Sequence, residues 1–399
     1  MRILYAVQRY GESIVGGSEA AARAFAEQLV TRDHEVEVIT SCATSYVDWA
    51  NTFDPGTSEL NGVIVHRLEV DDIRRPEKFG PLHNWMISGP RPAPLFEQQR
   101  WAKHMGPDIV GLSSWINRNI DRFDVAIFMT YMYVTTTKGL PAAAHRVPTV
   151  FQPTAHDEPP IRVMLYDTLF RLPDSFLFFT PEEREVVRRR FHMEPHGETV
   201  GIGIDLTIAE TPDVFRRRFE LGDDPYLLYV GRIDPIKGSR ELFEFFCEYK
   251  RRNPGPLRLV LVGETITELP EHPDVTSTGF LSEEGKRDAL AGALALAQPS
   301  RFESFSIVVC ESWVQRRPVL VHGDSEVLLG QTRRANGGIP YKGFAEFEAA
   351  VDLLLDHPDL GERMGRSGRK YVEEMYDWST VLNGVERSIE TAIERFSKR

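Results

Sequence analysis

The chain has 399 residues, of which 42% are hydrophobic and 27% charged, and its formal net charge is −12. This length and composition predict a folded protein of more than one domain and exclude a small disulfide-stapled scaffold. The acidic balance argues against nucleic acid as a partner, because no global positive field attracts a polyanion.

Cysteine usage and hydropathy indicate where the protein works. Cys42, Cys247 and Cys310 are widely spaced and fit neither a disulfide framework nor a Cys-x2-Cys metal site, which favours the reducing cytoplasm. No run of about 18 apolar residues occurs, and the short apolar start is broken by Gln8 and Arg9. We therefore expect neither a membrane-spanning helix nor a signal peptide, so that any membrane contact is peripheral.

The first half of the chain alternates short apolar runs with helix-like segments, a pattern typical of α/β folds built on a parallel sheet. It opens with a strand over Ile3 to Val7, a Gly-containing loop and a helix over Ala20 to Val30. Further strands are predicted over Val36 to Thr40, Val63 to Leu68, Val125 to Met129, Pro148 to Gln152, Phe176 to Phe179 and Thr199 to Ile204.

The stretch from Ser45 to Trp115 is the least regular part of this half. It holds four of the six tryptophans and a Pro-rich segment from Pro76 to Pro94. Long ordered loops are either functional or simply structural, so two interpretations stay open. In the first interpretation, the stretch is a packed irregular insertion; in the second, it forms one side of an acceptor-binding site.

A second α/β pattern starts after Gly203-Ile-Asp205. Its strands are predicted over Tyr226 to Val230, Leu257 to Val262, Val275 to Thr278, Leu294 to Gln298 and Pro318 to Val321, with helices over Arg240 to Arg251, over Ser282 to Leu290 and after Glu303. We therefore predict two Rossmann-like domains, residues 1–203 and 204–378. A final helix over residues 379–399 is expected to pack back on the first domain.

The motif Gly16-Gly17-Ser18-Glu19 lies between the first strand and the first helix. Free amides at a helix N-terminus favour an anion, and two glycines let that anion approach the backbone closely. The alternative is a tight left-handed turn in which Ser18 caps the helix. The fingerprint G-x-G-x-x-G is absent from this turn, which argues against a standard NAD enzyme.

Two cations follow the first strand of the second domain, in Gly231-Arg-Ile-Asp-Pro-Ile-Lys237-Gly238. Ligands of open α/β sheets bind at the carboxyl ends of the strands. An arginine can bind phosphate oxygens bidentately and a lysine adds a mobile charge, so Arg232 and Lys237 suit a pyrophosphate. A solvated surface turn is the alternative.

Glu303 and Glu311 are eight residues apart at a strand-to-helix junction. Eight helical residues span about 12 Å, which matches the reach from a sugar across a diphosphate to a ribose. One carboxylate then holds sugar hydroxyls, the first helical amides hold a phosphate, and the second carboxylate holds the ribose diol. Two ordinary glutamates, the first of them favouring the helix dipole, are the alternative.

These motifs, in this order, resemble the retaining nucleotide-sugar glycosyltransferases of the GT-B fold, family 4, over nearly the whole chain. The resemblance also rests on His156-Asp157, the linker Gly203-Ile-Asp205, Gly279-Phe280 and Pro318-Val-Leu-Val321. It implies two Rossmann-like domains facing each other across a cleft. The N-terminal domain is then expected to bind the acceptor and the C-terminal domain the nucleotide-sugar donor.

The resemblance also assigns roles to individual residues. In the C-terminal domain, it implies that Arg232 and Lys237 bind the diphosphate, Glu303 the donor sugar, Glu311 the ribose, Gly279 and Phe280 the base, and the backbone amides of Ser304, Phe305 and Ser306 the sugar and phosphate. In the N-terminal domain, Gly16 and Gly17 complete the phosphate site. His156 touches the donor sugar near the reaction centre, although a lone histidine is more often a satisfied interior imidazole.

The chain departs from the family pattern at three places. Ile202 stands in the linker where Asn usually precedes Gly, and Ser312-Trp-Val-Gln-Arg-Arg317 replaces a run of small residues ending in Gly. The loop His322-Gly-Asp-Ser-Glu326 lacks the usual Gly-Gly-Ile-Pro-Glu pattern near the nucleotide ribose. The donor therefore stays open between a UDP-sugar and a GDP-sugar.

The implied reaction is retaining transfer of a hexose-type sugar to a hydroxyl of a sugar, lipid-linked or small-molecule acceptor, in polysaccharide or glycoconjugate biosynthesis. Arg232, Lys237 and helix amides stabilise the charge that grows on the leaving diphosphate, so we expect neither a metal nor another cofactor. The resemblance implies that the leaving phosphate oxygen takes the acceptor's proton. Glu303 then orients the sugar instead of attacking it.

Alternatives to this reaction remain. A nucleotide-sugar epimerase or another GT-B enzyme shares the architecture, and a non-catalytic nucleotide-sugar-binding subunit shares the binding residues. The basic runs at residues 188–190, 216–218 and 250–252 leave open a peripheral contact with the inner face of a membrane. Most such runs are solvated helix faces.

Overall fold

The computed structural model describes residues 1–14, 16–89, 92–266 and 271–399, without the side chain of Ile236. Pro90 and Arg91, which belong to the predicted Pro-rich segment, lie outside the described residues. The chain forms two compact units: an N-terminal unit of residues 1–202 with 378–399, and a C-terminal unit of residues 203–377. These limits lie one residue from the predicted domain boundaries.

The N-terminal unit is built on a mainly parallel sheet. Its strands are β1 (Arg2–Ala6), β2 (Glu35–Ser41), β3 (Gly56–Leu60), β4 (Val63–Leu68), β5 (Val125–Met129), β6 (Thr149–Gln152), β7 (Ser175–Phe178) and β8 (Gly197–Thr199). The sheet order is β3-β4-β2-β1-β5-β6-β7-β8, and β3 pairs antiparallel with β4. β1 therefore lies between β2 and β5, so the chain leaves β1 first to one side and later to the other.

Helices connect these strands and cover the sheet. They are α1 (Gly17–Val30), α2 (Pro76–Ser88), α3 (Leu95–Met105), α4 (Leu112–Asn119), α5 (Val134–Thr137), α6 (Gly139–Ala143), α7 (Leu165–Leu169) and α8 (Pro181–Phe191). The main core of the unit combines apolar residues of the sheet with residues of α3, α4 and α8. Phe151, Phe170 and Phe176 pack against one another in it.

The C-terminal unit has a fully parallel sheet. Its strands are β9 (Tyr226–Val230), β10 (Arg258–Val262), β11 (Val275–Gly279), β12 (Ala295–Gln298), β13 (Val319–His322) and β14 (Gly338–Tyr341), in the order β11-β10-β9-β12-β13-β14. Its helices are α9 (Pro212–Arg218), α10 (Ser239–Arg252), α11 (Glu283–Gly292), α12 (Ile307–Val314), α13 (Glu326–Ala335), α14 (Phe344–Asp356) and α15 (Pro358–Met375). Two Rossmann-like α/β units, as predicted, are thus confirmed.

The last helix, α16 (Trp378–Ser397), belongs to the N-terminal unit. Its Ser388 hydroxyl lies 2.9 Å from the carbonyl oxygen of Phe176 on β7 and 2.9 Å from the hydroxyl of Ser175. Trp378 packs edge-on against Phe25 of α1. The helix therefore closes one face of the first sheet.

Two regions differ from the sequence prediction. The predicted strand over Thr199 to Ile204 is wrong, because sheet pairing ends at Thr199 and Gly201 adopts a left-handed φ of 73° that an extended strand does not allow. The stretch from Ser45 to Trp115 is more regular than expected, since it contains β3, β4 and helices α2 to α4. Asn61 and Gly62, with φ of 50° and 80°, form the turn that joins β3 to β4. An acceptor role for this stretch stays a prediction.

Candidate functional site

The strand order of the C-terminal sheet creates a switch point between β9 and β12. The chain moves from β9 to β10 on one side, and β12 lies on the other side. The loops that follow β9 and β12 therefore diverge at the carboxyl edge, which is where ligands of open α/β sheets bind. Residues 231–238 form the first loop and residues 299–306 the second.

Close backbone packing holds these loops together. Gly238 has a left-handed φ of 77°, and a Cβ atom there would lie 2.4 Å from the carbonyl oxygen of Pro299. Gly263, after β10, has a φ of 137°, and its Cβ would lie 2.1 Å from the carbonyl oxygen of Gly231. Glycine is thus required at both positions for conformational and steric reasons.

The predicted phosphate-binding cations lie in this site and form ion pairs. The Lys237 ammonium lies 2.9 Å from Glu303 Oε1, so the loops after β9 and β12 bring these two predicted residues together. The Arg232 guanidinium lies 3.1 Å from Asp234. The Lys237 side chain is 38% exposed and the Arg232 side chain 30% exposed. Both cations are therefore accessible to an anionic ligand.

The helix after Glu303 starts later than the sequence prediction required. α12 begins at Ile307, and Ser306 caps it in a left-handed conformation with φ of 69°. Ser304, Phe305 and Ser306 therefore belong to the preceding loop and do not supply the first helical amides. The Phe305 ring is buried and packs edge-on against Tyr376, so only its backbone is available to a ligand.

Glu311, the second predicted carboxylate, is paired with a lysine that the sequence argument missed. Lys286 on α11 lies 2.7 Å from Glu311 and 2.8 Å from Glu283. Burial lowers the pKa of Lys286, but the two carboxylates outweigh burial and raise the pKa above its ordinary value. Glu311 thus lies beside a permanent cation.

The predicted base-contacting residues follow β11. Phe280 is 70% exposed, which makes it the most exposed of the large apolar side chains in the described residues. Gly279 has a left-handed φ of 71°, and a Cβ there would meet no atom within 4 Å. The Phe280 ring is thus exposed to solvent, and the adjacent backbone at Gly279 leaves space for a ligand.

The altered loop after β13 is organised by a buried histidine. His322 is fully buried, and its Nδ1 accepts a hydrogen bond from the amide of Asp324 at 3.1 Å. Burial and the nearby Arg301 lower the pKa of His322. Trp313, in the other altered segment, is buried and donates from Nε1 to the carbonyl of Gly337 at 2.8 Å. Each of the two altered segments therefore contains a buried side chain that forms a hydrogen bond within the fold.

In the N-terminal unit, the Gly16-Gly17 turn lies after β1, beside a buried ion pair. Arg9 donates to Glu19 Oε1 at 2.8 Å from Nε and 2.5 Å from Nη2, and both side chains are 6% exposed. A Cβ on Gly16 would lie 2.4 Å from the Glu19 carboxylate, whereas one on Gly17 would meet nothing within 4 Å. The alternative turn is wrong: Gly16 is the N-cap, and the Ser18 hydroxyl donates to Glu19.

His156 follows β6, and its partner is a nearby glutamate that the sequence argument did not single out. His156 Nε2 lies 3.2 Å from Glu158 Oε2, and the Tyr131 hydroxyl donates to Glu158 Oε1 at 2.7 Å. Burial raises the pKa of Glu158, but His156, Tyr131 and His83 together lower it below the ordinary value. Glu158 is thus a largely enclosed carboxylate, 16% exposed, in its ionised form.

A second buried carboxyl group holds the backbone of the same loop. Glu183 Oε1 accepts the amide of Ala155 at 2.8 Å, and Oε2 accepts the amide of Phe179 at 2.7 Å. Burial raises the pKa of Glu183 to about 8. Thr154, just before this contact, has a left-handed φ of 53°, so the bond to Ala155 stabilises an uncommon conformation.

The residues missed by sequence reasoning share a weak signal. Arg9, Glu19, Lys286, Glu158 and Glu183 are charged residues at strand ends or in first helical turns, where solvated side chains are normal. Only Glu19 belonged to a motif singled out in advance. Their importance comes from side-chain contacts that the local pattern does not reveal, such as those of Arg9 with Glu19, 10 positions apart, and of Lys286 with Glu311, 25 positions apart.

The basic runs are largely paired within the fold. Arg188 and Arg189 lie 2.6 Å and 3.6 Å from Glu185, and Lys250 lies 3.1 Å from Asp274. Across the described residues, no helix is long and apolar enough to cross a membrane. Nor do residues 1–14, 16–89, 92–266 and 271–399 hold a cluster of three His, Cys, Asp or Glu side chains placed to bind a metal ion.

Comparison with known proteins gives matches of two kinds. Residues 212–371 match the family model for glycosyl transferases group 1. The alpha-D-kanosaminyltransferase of Streptomyces kanamyceticus is 31% identical over 191 residues, which cover 44% of this chain and 48% of that one. The D-inositol 3-phosphate glycosyltransferase of Nocardia farcinica is 25% identical over an alignment that covers 97% of this chain and 87% of the relative.

Solved structures share the architecture at low identity. Anabaena Alr3699/HepE in complex with UDP-glucose superposes with a TM-score of 0.71 at 13% identity, over 98% of this chain and all of that chain. Sucrose-phosphate synthase from Thermosynechococcus elongatus gives a TM-score of 0.69 at 17% identity, over 98% and 99% of the two chains. The chain thus has the GT-B fold of these solved structures, and its residues 212–371 are similar to glycosyl transferases group 1.

Proposed function

We propose that the protein is a retaining, metal-independent glycosyltransferase that moves a hexose-type sugar from a nucleotide diphosphate sugar to an acceptor hydroxyl. The observation that carries this proposal is the Lys237–Glu303 pair at the switch point of the C-terminal sheet. A cation for a phosphate and a carboxylate for sugar hydroxyls lie 2.9 Å apart at the edge where such sheets bind ligands. The family match over residues 212–371 supports the same reaction class.

In the proposed reaction, the cations lie next to the diphosphate on which negative charge develops. As the bond between sugar and phosphate breaks, negative charge grows on the departing diphosphate. Lys237 and Arg232 are accessible cations held by local carboxylates, so a phosphate replaces one anionic partner with another. Glu303, released from Lys237, hydrogen-bonds the sugar hydroxyls. The acceptor oxygen forms its bond to the sugar carbon on the same face from which the diphosphate leaves, so the configuration at that carbon is retained. The leaving phosphate oxygen takes the proton of the acceptor hydroxyl.

Residues of the N-terminal unit are proposed to serve the same donor. The open space around Gly17 suits the approach of a phosphate, and His156 is assigned to the donor sugar. Both assignments rest on the family resemblance. The acceptor is proposed to be a sugar, a lipid-linked glycan or a small molecule, and the protein is proposed to act in the cytoplasm, with peripheral contact at the inner membrane face if the acceptor is lipid-linked.

UDP-sugars are proposed as the first donors to test. Anabaena Alr3699/HepE is described in complex with UDP and with UDP-glucose, and an Escherichia coli trehalose-6-phosphate protein with UDP-2-fluoro glucose. Phe280 and the altered loop after β13 give no feature that distinguishes uracil from guanine. GDP-sugars therefore stay in the comparison.

Thermal shift with UDP, GDP, ADP and their sugar conjugates tests the donor site without an acceptor. A ligand at a hundred times its Kd stabilises the folded state by about 2.7 kcal/mol, so one nucleotide series is expected to raise Tm. Lys237→Ala should weaken binding of that nucleotide about tenfold, because a charge-assisted contact is lost. If none of these nucleotides binds, the proposal is contradicted.

Lys138→Ala is the matched control for Lys237→Ala. The Lys138 side chain is 40% exposed and lies 3.1 Å from Asp108, close to the values for Lys237, but it belongs to the N-terminal unit. Asp108 keeps a second cation, Lys103, at 3.2 Å. We expect Lys138→Ala to leave nucleotide affinity unchanged. Equal losses in the two variants would remove the phosphate role of Lys237.

A further inference from the structure

Glu158 has both carboxylate oxygens committed in the N-terminal unit. Oε1 accepts the Tyr131 hydroxyl at 2.7 Å, and Oε2 lies 3.2 Å from Nε2 of His156. The exposed fractions of the Glu158 and His156 side chains are only 16% and 23%. Tyr131 follows β5 and His156 follows β6, so one carboxylate links the ends of two neighbouring strands.

The hydrogen bond from Tyr131 does not by itself require a charged residue at position 158. Burying a carboxylate is costly unless it is paired, and an amide would satisfy Tyr131 equally well. Yet the contacts with His156, Tyr131 and His83 outweigh burial and keep the pKa of Glu158 below its ordinary value. The group therefore stays ionised, and its charge faces the imidazole.

A carboxylate at this distance has two effects on an imidazole. It accepts a hydrogen bond from Nε2–H, which selects the tautomer and fixes the plane of the ring. It also stabilises the protonated form, because opposite charges within about 4 to 6 Å favour ionisation. Neither effect requires Glu158 itself to touch a substrate.

We propose that Glu158 is a positioning residue that fixes the orientation and the protonation state of the His156 imidazole. The expected effect of this positioning on the rate of sugar transfer rests on the proposed function, which assigns His156 to the donor sugar. The pairing itself is independent of that assignment. Its consequence is that the imidazole presents a fixed edge to a ligand and keeps a proton at higher pH than an unpaired histidine would.

Other titratable groups surround the pair and have to be considered in any titration. They are Tyr131 and Tyr133 after β5, His83 on α2, Tyr166 on α7 and Glu183 on α8. Burial raises the pKa of each of the three tyrosines and of Glu183. Burial and Arg74 lower the pKa of His83. The Glu158 carboxylate lies against the imidazole itself, with Oε2 3.2 Å from Nε2.

The test is an NMR titration of the His156 imidazole in the full chain, with His156→Gln used to assign the signal. In Glu158→Gln, which retains an acceptor for Tyr131, we expect the pH of half protonation to fall by about one unit or more. Tyr131→Phe keeps the charge on Glu158, so the half-protonation pH should stay at or above the wild-type value. An unchanged titration in Glu158→Gln, or an equal fall in both variants, overturns the proposal.

Kinetics provide the readout that separates this proposal from the proposed function. If the protein transfers sugar, Glu158→Gln should lower kcat about tenfold or more with a donor KM within about twofold, and should shift the pH profile of kcat with the imidazole titration. Glu37→Gln is the control, because Glu37 pairs with His66 in the same unit at similar burial. We expect it to leave the His156 titration and transfer unchanged. If no sugar is transferred, the proposed function fails and the titration alone decides the pairing.

Discussion

The cations of the candidate donor site in the C-terminal unit differ in their access to solvent from the charged residues around the Gly16-Gly17 turn and the loop after β6 in the N-terminal unit. In the C-terminal unit, Lys237 and Arg232 are about one third exposed, and their carboxylate partners lie in neighbouring or the same loops. In the N-terminal unit, Arg9 and Glu19 are each 6% exposed, and Glu183 is 1% exposed. The first group is accessible to a ligand, and the second is enclosed by the fold.

This difference indicates two uses of charge at the carboxyl ends of similar sheets. An accessible cation exchanges its carboxylate for a phosphate with little change in burial, so its pair contributes little to stability. A buried pair cannot be separated without leaving an unpaired charge in the interior, so it fixes the loop that contains it. We therefore expect substitutions in the C-terminal set to change binding and rate, and substitutions in the N-terminal set to change stability.

The largest effect on stability is expected for Glu19→Ala. The substitution leaves the Arg9 guanidinium buried without a carboxylate, beside the Thr44 carbonyl, which accepts from Nη1 at 2.6 Å, and the Tyr46 ring, whose centroid lies 5.3 Å away. Loss of one partner of a buried pair costs about 3 to 5 kcal/mol in the free energy of unfolding, measured by urea denaturation. Glu35→Ala breaks the Arg2–Glu35 pair, whose side chains are 56% and 74% exposed, and should cost less than about 1 kcal/mol. Similar losses in the two variants would contradict the comparison.

The largest effect on rate is expected for Glu303→Ala. Removing a contact to the reacting sugar should lower sugar transfer about a hundredfold or more, while the loop position keeps the change in Tm small. Glu348→Ala is the control, since Glu348 lies 3.2 Å from Arg252 and is 21% exposed, but belongs to α14 and not to the loops after β9 and β12. Turnover close to wild type in Glu303→Ala would remove the assigned sugar site.

The pH dependence of stability provides a test of Glu183. Its pKa is about 8 in the folded protein and near 4.5 when unfolded, so the folded state holds a proton that the unfolded state releases between these values. The free energy of unfolding therefore falls as pH rises through this window, by up to about 1.4 kcal/mol per pH unit. Glu183→Gln should remove this contribution when stability is measured at pH 5, 6.5 and 8.

Glu248→Gln is the control for that slope. Arg251 and Arg252 hydrogen-bond to the half-buried Glu248 carboxylate and lower its pKa to about 2, so this group does not change protonation between pH 5 and 8. The variant should keep the wild-type slope. A slope in Glu183→Gln equal to that of the wild type would show that Glu183 is ionised throughout the window.

The sequence was most informative where a single segment determines a structure. The run Tyr226 to Val230 is a strand with the predicted bounds, and Lys237 and Glu303 follow strands that the alternating pattern predicted. Spacing was less informative where a helix boundary depends on one residue. Ser306 in a left-handed conformation delays α12, so the eight residues from Glu303 to Glu311 are not one continuous helix.

Contacts between distant segments were beyond the sequence argument. Glu183 reaches back 28 residues to Ala155, and Tyr131 reaches 27 residues forward to Glu158. Nothing in the local pattern around these residues distinguishes a buried carboxylate from a solvated one, because burial is determined by the strands on either side. The candidate donor site could thus be predicted from motifs, and the charges that support His156 could not.

The smallest expected effect, for Phe280→Ala, sharpens the division within the C-terminal unit. Stacking on a base contributes about 1 kcal/mol or more, so UDP should bind about five- to tenfold more weakly. Tm should not change, since the ring is 70% exposed. Phe96→Ala, which removes a 65% exposed ring from α3, is the control and should bind UDP like the wild type.

Calorimetry with UDP and uridine then separates the contact with the base from the contact with the phosphates. The loss of affinity in Phe280→Ala should persist with uridine, whereas the loss of affinity in Lys237→Ala should vanish when the phosphates are absent. If both losses vanish with uridine, Phe280 does not contact the base.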